Sequence, residues 1–347
     1  MPRAARLAPQ ACRRAGPVHR RLRHSWAGAA GRGERLREGV ARQWNVGAVS
    51  AVTPLGGGSI NGAHRVEAQA GCFHLRVYRE AQRLSIEREH AVIAAALAAG
   101  SSTPRPVPLK NGGTIGQLGC AWAALFERAP GAVIAREALT ALDVERLGGF
   151  LADLHARLPQ TVAFEVPRVG TSRGGGTRER LERIEQAILK LPHPDEADGW
   201  ALERTRQRLA LLRSSPQPAF ASAFPFRFLH GDFHDGNVFF EDGQPVAVID
   251  WELCRLAPRA WEVARVLDYS LRLHPALSRA FLVGYRHVLP LGAAELLDGV
   301  RLYAQLQEGN VWVFESVYLE HNPGPKVFIR PPPYLPFAQA WRESGLD

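Results

Sequence analysis

The stretch FLHGDFHDGNVFF, residues 228–240, places two histidines, two aspartates and an asparagine between two apolar runs. Asp232 and Asn237 are five residues apart, and Asp250 follows at the end of the apolar run PVAVID. Phosphoryl transfer to a hydroxyl needs a carboxylate that accepts the hydroxyl proton, and a second carboxylate with an amide that hold Mg²⁺. A hairpin between residues 238 and 250 would bring Asn237 and Asp250 together, so the stretch contains the residue types that this chemistry requires.

Two other interpretations of the same loop need to be considered. His230, Asp232, His234 and Asp235 could form a metal cage, as in dinuclear metallophosphoesterases. Those enzymes need a second GD pair and a GNH motif, whereas GD occurs once here and neither GN pair is followed by histidine. The loop could also be a polar turn in which His230 braces the backbone through hydrogen bonds, and for His230 alone this interpretation is reasonable.

The motif HGDFHDGN followed by VAVIDWE resembles the signature of the aminoglycoside phosphotransferase and choline kinase-like family, which has a protein-kinase-like fold. The resemblance covers residues 47–320 and includes homoserine kinase-like relatives. It implies that Asp232 is the catalytic base and that Asn237 and Asp250 bind Mg²⁺. His234, two residues after the base, would contact the γ-phosphate or the substrate, or would be structural.

The resemblance also implies an N-terminal lobe with a glycine-rich loop, a cation on the third strand and a helix glutamate that positions this cation. PLGGGSIN, residues 54–61, is typical of such a loop, and its candidate phosphate-binding residues are Gly56, Gly57, Gly58, Ser59 and Asn61. The strand HLRVYR carries Arg76 where these kinases have lysine. Arginine can hold phosphate with its planar fork, and Glu89 is its expected partner, with Glu87 as the competitor.

The elements that would position these residues follow from the hydrophobic pattern. Strand-like segments with short connections over residues 46–127 predict a small antiparallel sheet, together with a helix over 83–99. Apolar residues at helical spacing predict helices over 137–158, 178–191, 201–213, 260–272, 276–288 and 294–319. We therefore predict an α+β fold of two lobes, with an N-lobe over 46–130, a hinge near 127–132 and a C-lobe over 131–347.

The net charge of +9 is concentrated at one end of the chain. Residues 1–46 contain eleven arginines, no lysine and two acids, and the remainder is balanced. We expect residues 1–45 to be a basic, disordered or loosely helical extension or the product of an incorrect start codon, with a targeting segment or a binding arm as the alternative. The high pI therefore says nothing about a nucleic-acid surface on the folded body, we expect no nucleic-acid partner, and no run reaches the roughly 20 apolar residues of a membrane helix. Scattered cysteines indicate a reducing compartment, so we expect a cytoplasmic protein.

Several charged residues of the C-lobe have less defined expectations. Glu252 would support the metal or the substrate, and Glu262 would be a structural cap or an ion-pair partner. Three arginines, Arg255, Arg259 and Arg265, are expected to be structural or exposed. The segment 301–321 contains aromatic and acidic residues that together could hold an amine, the aromatics by cation–π contact. Core packing is the more common use of such aromatics. The residues are Glu308, Trp312, Phe314, Glu315 and Glu320.

The expected function is ATP- and Mg²⁺-dependent transfer of a phosphoryl group to a hydroxyl of a small molecule, such as an amino alcohol, a homoserine-like compound, a sugar or an aminoglycoside. The alternative is a nucleotide-binding module with little turnover, or one that acts on a protein. The absence of an APE segment after Asp250 argues against an ordinary protein kinase. The sequence does not indicate the acceptor or the oligomeric state.

Overall fold

The computed structural model describes residues 29–55, 61–78, 82–160, 162–169, 176–214 and 221–346. The N-lobe contains a five-stranded antiparallel sheet in the order β1-β2-β3-β5-β4. Its strands are β1 (Val49–Pro54), β2 (Gly62–Ala68), β3 (Gly71–Val77), β4 (Gly116–Leu118) and β5 (Ala121–Glu127). The predicted sheet is therefore confirmed, and the short connections between sequential strands explain its antiparallel pairing.

The sheet buries both of its faces. Alternate residues of β5 point to opposite sides, so Leu125 packs in the core of the outer face and Phe126 in the main core shared with the C-lobe. Helix α1 (Ala29–Gln43) covers the outer face, where Val40 and Trp44 are fully buried. Helix α2 (Arg83–Ala98) contributes Ile86, Val92 and Ile93 to the main core.

The structure differs from the expectation that residues 1–45 form a disordered or loosely helical extension. Residues 29–43 form α1, and Trp44 is buried against the sheet, so the N-lobe begins before residue 46. The charged composition hid this helix, because only its short apolar side contacts the sheet. Residues 1–28, which carry most of the arginines, lie outside the described residues.

The C-lobe is built mainly from helices. Helices α3 (Ala141–Arg157) and α7 (Pro275–Val288) pack closely through facing glycines. A Cβ on Gly284 would lie 1.8 Å from the carbonyl oxygen of Glu145, and a Cβ on Gly148 would lie 2.1 Å from that of Phe281. The other helices are α4 (Thr177–Leu189), α5 (Glu196–Ser214), α6 (Arg259–Tyr269), α8 (Ala293–Gly309), α9 (Trp312–Tyr318) and α10 (Phe337–Ser344).

The helix predicted over 294–319 is wrong as one element, because α8 and α9 are separate. The chain breaks at Asn310, which has an extended backbone, and Arg208 of α5 donates to its carbonyl oxygen at 2.8 Å. Among the described helices, none combines the length and apolar character that crossing a bilayer requires.

Two short strand pairs hold the loops of the candidate site. The predicted hairpin is confirmed as β7 (Val238–Glu241) and β8 (Gln244–Val248), with a tight turn at Asp242 and Gly243. The second pair joins β6 (Phe226–Leu229) to β9 (Arg255–Pro258), and this pairing was not predicted. Residues 230–237 connect β6 to β7, and residues 249–254 connect β8 to β9. Both polar loops therefore leave the same small region of the C-lobe.

Candidate active site

The loop 230–237 is held by buried side chains beneath it. His230 is fully buried, and its Nε2 lies 3.0 Å from the carbonyl oxygen of Ile249, while its Nδ1 accepts from the amide of Asp232 at 3.2 Å. Burial lowers the pKa of His230, so the ring is neutral and can accept this bond. His230 thus braces the loop, as the structural interpretation proposed.

Gly231 has a left-handed backbone with φ of +82°, and a Cβ there would lie 2.0 Å from the carbonyl oxygen of Leu253. Only glycine therefore fits this position. The Gly231 amide donates to Glu262, which is fully buried on α6 and lies 2.9 Å from His155 Nε2. Burial would raise the pKa of Glu262, but the hydrogen bond from His155, the neighbouring histidines and the Gly231 amide together outweigh it, and the pKa is lowered. A buried carboxylate thus anchors the loop from below.

The Asp232 carboxylate lies in this loop and is partly accessible. Its Oδ1 accepts a hydrogen bond from Arg265 of α6, whose other terminal nitrogen donates to the carbonyl oxygen of Phe233 at 3.1 Å. Burial raises the pKa of Asp232 to about 6, although the Arg265 charge opposes this shift. A carboxylate with this pKa is ionised at neutral pH and can accept a proton.

The two predicted metal ligands face the same cleft. Asn237 donates to the carbonyl oxygen of Asp232 at 3.0 Å, which leaves the amide oxygen of Asn237 available for a cation. Asp250 lies two residues after β8 in a left-handed conformation with φ of +70°, and its buried Oδ1 accepts no hydrogen bond, although a terminal nitrogen of Arg76 lies 3.3 Å away. A carboxylate and an amide oxygen suit Mg²⁺, and the unsatisfied Oδ1 fits a cation at this position.

Arg76 joins the two lobes across this cleft. One terminal nitrogen lies 2.8 Å from both Glu89 and Glu252, and the other lies 3.3 Å from Asp250. Burial would lower the pKa of Arg76, but the three carboxylates raise it overall, so the side chain is permanently charged. Glu252 also accepts from Asn61 at 2.8 Å. The structure therefore brings Arg76, Glu89 and Asn61 together beside the metal ligands.

The two candidate partners of Arg76 are distinguished by geometry. Glu89 is buried and also accepts from the Tyr78 hydroxyl at 2.9 Å. Burial raises its pKa to about 7. Glu87 is exposed and pairs with Arg83 instead. The glycine-rich candidates Gly56, Gly57, Gly58 and Ser59 lie outside the described residues.

His234 lies beside the candidate base. Its Nε2 is 3.8 Å from Asp232 Oδ2, and its Nδ1 accepts from the Gly236 amide at 3.0 Å. Burial, together with the charge of Arg265, lowers the pKa of His234 to about 4. The ring is therefore neutral and presents an Nε2–H donor toward the Asp232 side of the cleft.

A cavity of about 360 Å³ lies between the lobes next to Arg76. Its walls come from β3, the hinge after β5 and the loop 249–254, including His74, Phe126, Ala129, Asp250 and Trp251. This volume is within the range of small-molecule sites. Burial lowers the pKa of His74 to about 4, so it offers an uncharged aromatic ring to the cavity.

Two site residues were not anticipated as such. Arg265 was expected to be structural or exposed, but it binds the Asp232 carboxylate. His74 was not considered. Glu262 and Arg265 are three residues apart on α6 and thus share one face, which was the available signal. Of the residues considered for amine binding, Phe314 is buried in the core, which is the more common use of such aromatics, and Glu315 pairs with Arg180.

Comparison with known proteins identifies relatives of the chain. The model of a family described as "Phosphotransferase enzyme family" matches residues 51–303. A homoserine kinase from Azorhizobium caulinodans is 28% identical over 202 residues, which are 57% of this chain and 58% of that protein. The match thus spans less than two thirds of that relative's length.

Solved structures share the fold at low sequence identity. A spectinomycin phosphotransferase in complex with ADP and spectinomycin is 14% identical, with a TM-score of 0.65 over 90% of this chain and 98% of that one. An amicoumacin kinase in complex with AMP-PNP and Ca²⁺ is 15% identical, with a TM-score of 0.54 over 88% of this chain and 96% of that one. The predicted two-lobed α+β, kinase-like fold is therefore confirmed.

Proposed function

We propose that this chain, which belongs to the phosphotransferase enzyme family, transfers the γ-phosphoryl group of ATP to a hydroxyl group of a small molecule. The observation that carries the proposal is the proximity of Asp232 to Asp250. Asn237 donates to the Asp232 carbonyl oxygen at 3.0 Å and its own backbone carbonyl oxygen accepts from the amide of Ile249, the residue before Asp250, at 2.9 Å. An ionised carboxylate held by Arg265 thus lies near a second carboxylate whose buried oxygen accepts no hydrogen bond. One can act as a base, and the other can hold a cation.

In this proposal the nucleotide occupies the cavity between the N-lobe and the C-lobe. The hinge backbone near Phe126 and Ala129 faces the adenine, and the neutral ring of His74 offers a flat surface for it. Arg76, which is oriented by Glu89, binds the α- and β-phosphates, and its two terminal nitrogens suit a bidentate contact. Asn61, which donates to Glu252 beside Arg76, would contribute a donor to the phosphates, and the glycine-rich residues 56–59 lie outside the described residues.

Asn237 and Asp250 would hold Mg²⁺, which neutralises the charge of the phosphates when it is bound. Asp232 orients the acceptor hydroxyl through its Oδ2 and accepts its proton, while Arg265 holds Oδ1 in place. His234 donates from Nε2 to an oxygen of the transferred group or of the acceptor. Positioning and charge complementarity supply most of the catalysis in this kind of reaction.

ADP release from ATP and Mg²⁺ tests the proposal across hydroxyl compounds such as homoserine, choline, ethanolamine, thiamine, methylthioribose, ketosamines and aminoglycosides. Asp232→Asn should lower turnover by about 10²–10⁴-fold and retain ATP binding, because the residue acts only on the acceptor proton. Asp250→Ala should lose the Mg²⁺ dependence of nucleotide affinity.

Asp242→Asn is the matched control, because this aspartate is exposed in the β7–β8 turn, where asparagine tolerates the left-handed backbone. It should behave as the wild type. Full activity in both Asp232→Asn and Asp250→Ala would refute the site assignment.

A further inference from the structure

The carboxylates around the catalytic loop already have positively charged or donor partners within the chain. Asp232 binds Arg265, and Asp235 binds Arg136 through two contacts of 3.1 and 3.2 Å. Glu262 uses one oxygen for the Gly231 amide and the other for His155. The remaining carboxylates, Glu89, Asp250 and Glu252, surround Arg76. The described part of the site therefore leaves no carboxylate without a partner group.

One cation near the catalytic loop, Arg255, has no carboxylate partner among the described residues. Arg255, at the start of β9, donates from Nε to the carbonyl oxygen of Leu253 at 2.8 Å, and its guanidinium lies 5.4 Å from the Trp261 ring centre. Among the described residues, no carboxylate forms an ion pair with Arg255. Buried or half-buried charges in proteins are usually paired, because their desolvation is costly.

The position of Arg255 links it to catalysis. A Cβ on Gly231 would lie 3.0 Å from Arg255 Nε, so the guanidinium lies against the residue that precedes Asp232. Burial lowers the pKa of Arg255, and repulsion from Arg265 adds to this effect. Two guanidinium groups therefore flank the candidate base, and only Arg265 is neutralised by it.

The C-lobe acids do not offer a free site for an amine. Glu308 lies between Arg204 and Arg208, and Glu315 pairs with Arg180. Asp268 accepts from the Tyr303 hydroxyl at 2.8 Å. These three acids are therefore engaged within the chain, whereas Arg255, beside Gly231, is a cation without a carboxylate partner among the described residues and so favours an anion as its ligand.

We propose that Arg255 binds an anionic group, a carboxylate or a phosphate, that the phosphoryl acceptor carries in addition to its reactive hydroxyl. This inference rests on the proposed function and specifies its substrate class. The terminal nitrogens of Arg255 supply a planar fork that matches either anion. Stacking on Trp261 and the bond to Leu253 hold this fork in one orientation, so that binding the anion also fixes the acceptor relative to Asp232.

Matched acceptors that differ by one carboxylate test the proposal. L-Homoserine and 3-aminopropan-1-ol form one pair, and glycerate and ethylene glycol form a second pair that lacks an amine. We expect kcat/KM to be at least tenfold higher for the carboxylate member of a pair that is turned over. Arg255→Met should reduce this ratio toward one, because it keeps the apolar packing on Trp261 and removes the charge.

Arg157→Met is the control, since Arg157 is exposed on α3 and pairs only with Asp153. It should keep the wild-type ratio. Preference for the member without the carboxylate, or an equal loss for both members in Arg255→Met, would overturn the proposal and leave Arg255 a packing residue.

A binding measurement separates this proposal from the proposed function. At constant ionic strength, sulfate should raise the melting temperature of the wild type and of Asp232→Asn more than that of Arg255→Met. The general stabilising effect of sulfate is common to all three proteins, so the difference reports binding at Arg255. Equal shifts would overturn the anion site. A specific sulfate shift without turnover of any acceptor would contradict the proposed function and keep the anion site.

The source of the anion is distinguished by kinetics. If the acceptor supplies it, sulfate competes with homoserine and raises its KM. If sulfate instead stimulates turnover of 3-aminopropan-1-ol to the level of homoserine, the site binds a free anion, and the assignment to the acceptor is wrong.

Discussion

At the residue scale, the reactivity of Asp232 depends on opposing effects of its surroundings. Burial disfavours the charged carboxylate and raises its pKa to about 6, whereas Arg265 stabilises the charge. His234, which lies beside Asp232, adds no charge, because its own pKa is about 4. The main cation that maintains the ionised base is therefore Arg265, which reaches the loop from α6, and Arg255 adds a smaller effect of the same sign.

Replacing Arg265 should change the pH dependence of the reaction. The base must be deprotonated, so kcat/KM of the wild type should fall as the pH decreases through about 6. Arg265→Met removes the group that lowers the pKa of Asp232, so the decline should begin at a higher pH, and the loss of activity should be larger at pH 6 than at pH 8. The measurement is kcat/KM against pH for a turned-over acceptor at saturating ATP and Mg²⁺.

Arg265→Lys is the matched variant, because it retains the charge and loses the second bond to the Phe233 carbonyl. Arg265→Lys should lower kcat, whereas the pH at which its kcat/KM falls should stay closer to the wild-type value than that of Arg265→Met. A uniform loss in Arg265→Met at every pH would show that Arg265 only supports the fold of the loop.

At the element scale, the C-lobe depends on the close packing of α3 against α7. Each helix has a glycine that lies against the backbone of the other helix. His155 of α3 is hydrogen-bonded to Glu262, which in turn binds the catalytic loop. Tyr285 of α7 completes this chain with a hydroxyl 2.8 Å from His155 Nδ1. The separation of two helices therefore determines the position of the loop that carries Asp232.

Gly284→Ala tests this dependence. The new methyl group would lie 1.8 Å from the Glu145 carbonyl oxygen, so the helices must separate, and overpacking of this kind costs about 1–3 kcal/mol. We expect a lower free energy of unfolding in urea and a lower kcat. Gly199→Ala on α5 is the control, because no atom lies within 4 Å of its Cβ, and it should be neutral or stabilising by up to about 1 kcal/mol. Equal stability of the two variants would contradict the packing argument.

The sequence predicted the elements that depend on local pattern. The β7–β8 hairpin follows from its DG turn, and it brings Asn237 beside Ile249, the residue before Asp250. The β6–β9 pair and the contact between Arg265 and Asp232 join residues about thirty positions apart, and neither has a local signature. The carboxylates bound to Arg76 come from both lobes, so its full set of partners depends on tertiary structure.

At the scale of the whole molecule, the N-lobe sheet has two distinct supports. Its inner face belongs to the core shared with the C-lobe, whereas its outer face forms a separate core with α1, which includes Trp44 and Leu75. Residues that the composition assigned to a charged extension thus stabilise the sheet that carries Arg76. Removing the chain up to residue 45 would expose this outer core.

Trp44→Ala should loosen the N-lobe and leave the C-lobe core intact. Trp44 is fully buried, and such truncations cost about 3–5 kcal/mol, but its contacts lie in the outer core. Hydrogen exchange should rise in peptides from β1 to β5 and not in α3 and α7, and the affinity for ATP should fall because Arg76 lies on β3. Trp312→Ala removes a half-exposed tryptophan from α9 and should change neither the hydrogen exchange nor the affinity for ATP. An equal rise in exchange across both lobes would show that the outer core is not a separate unit, and that α1 stabilises the molecule as a whole.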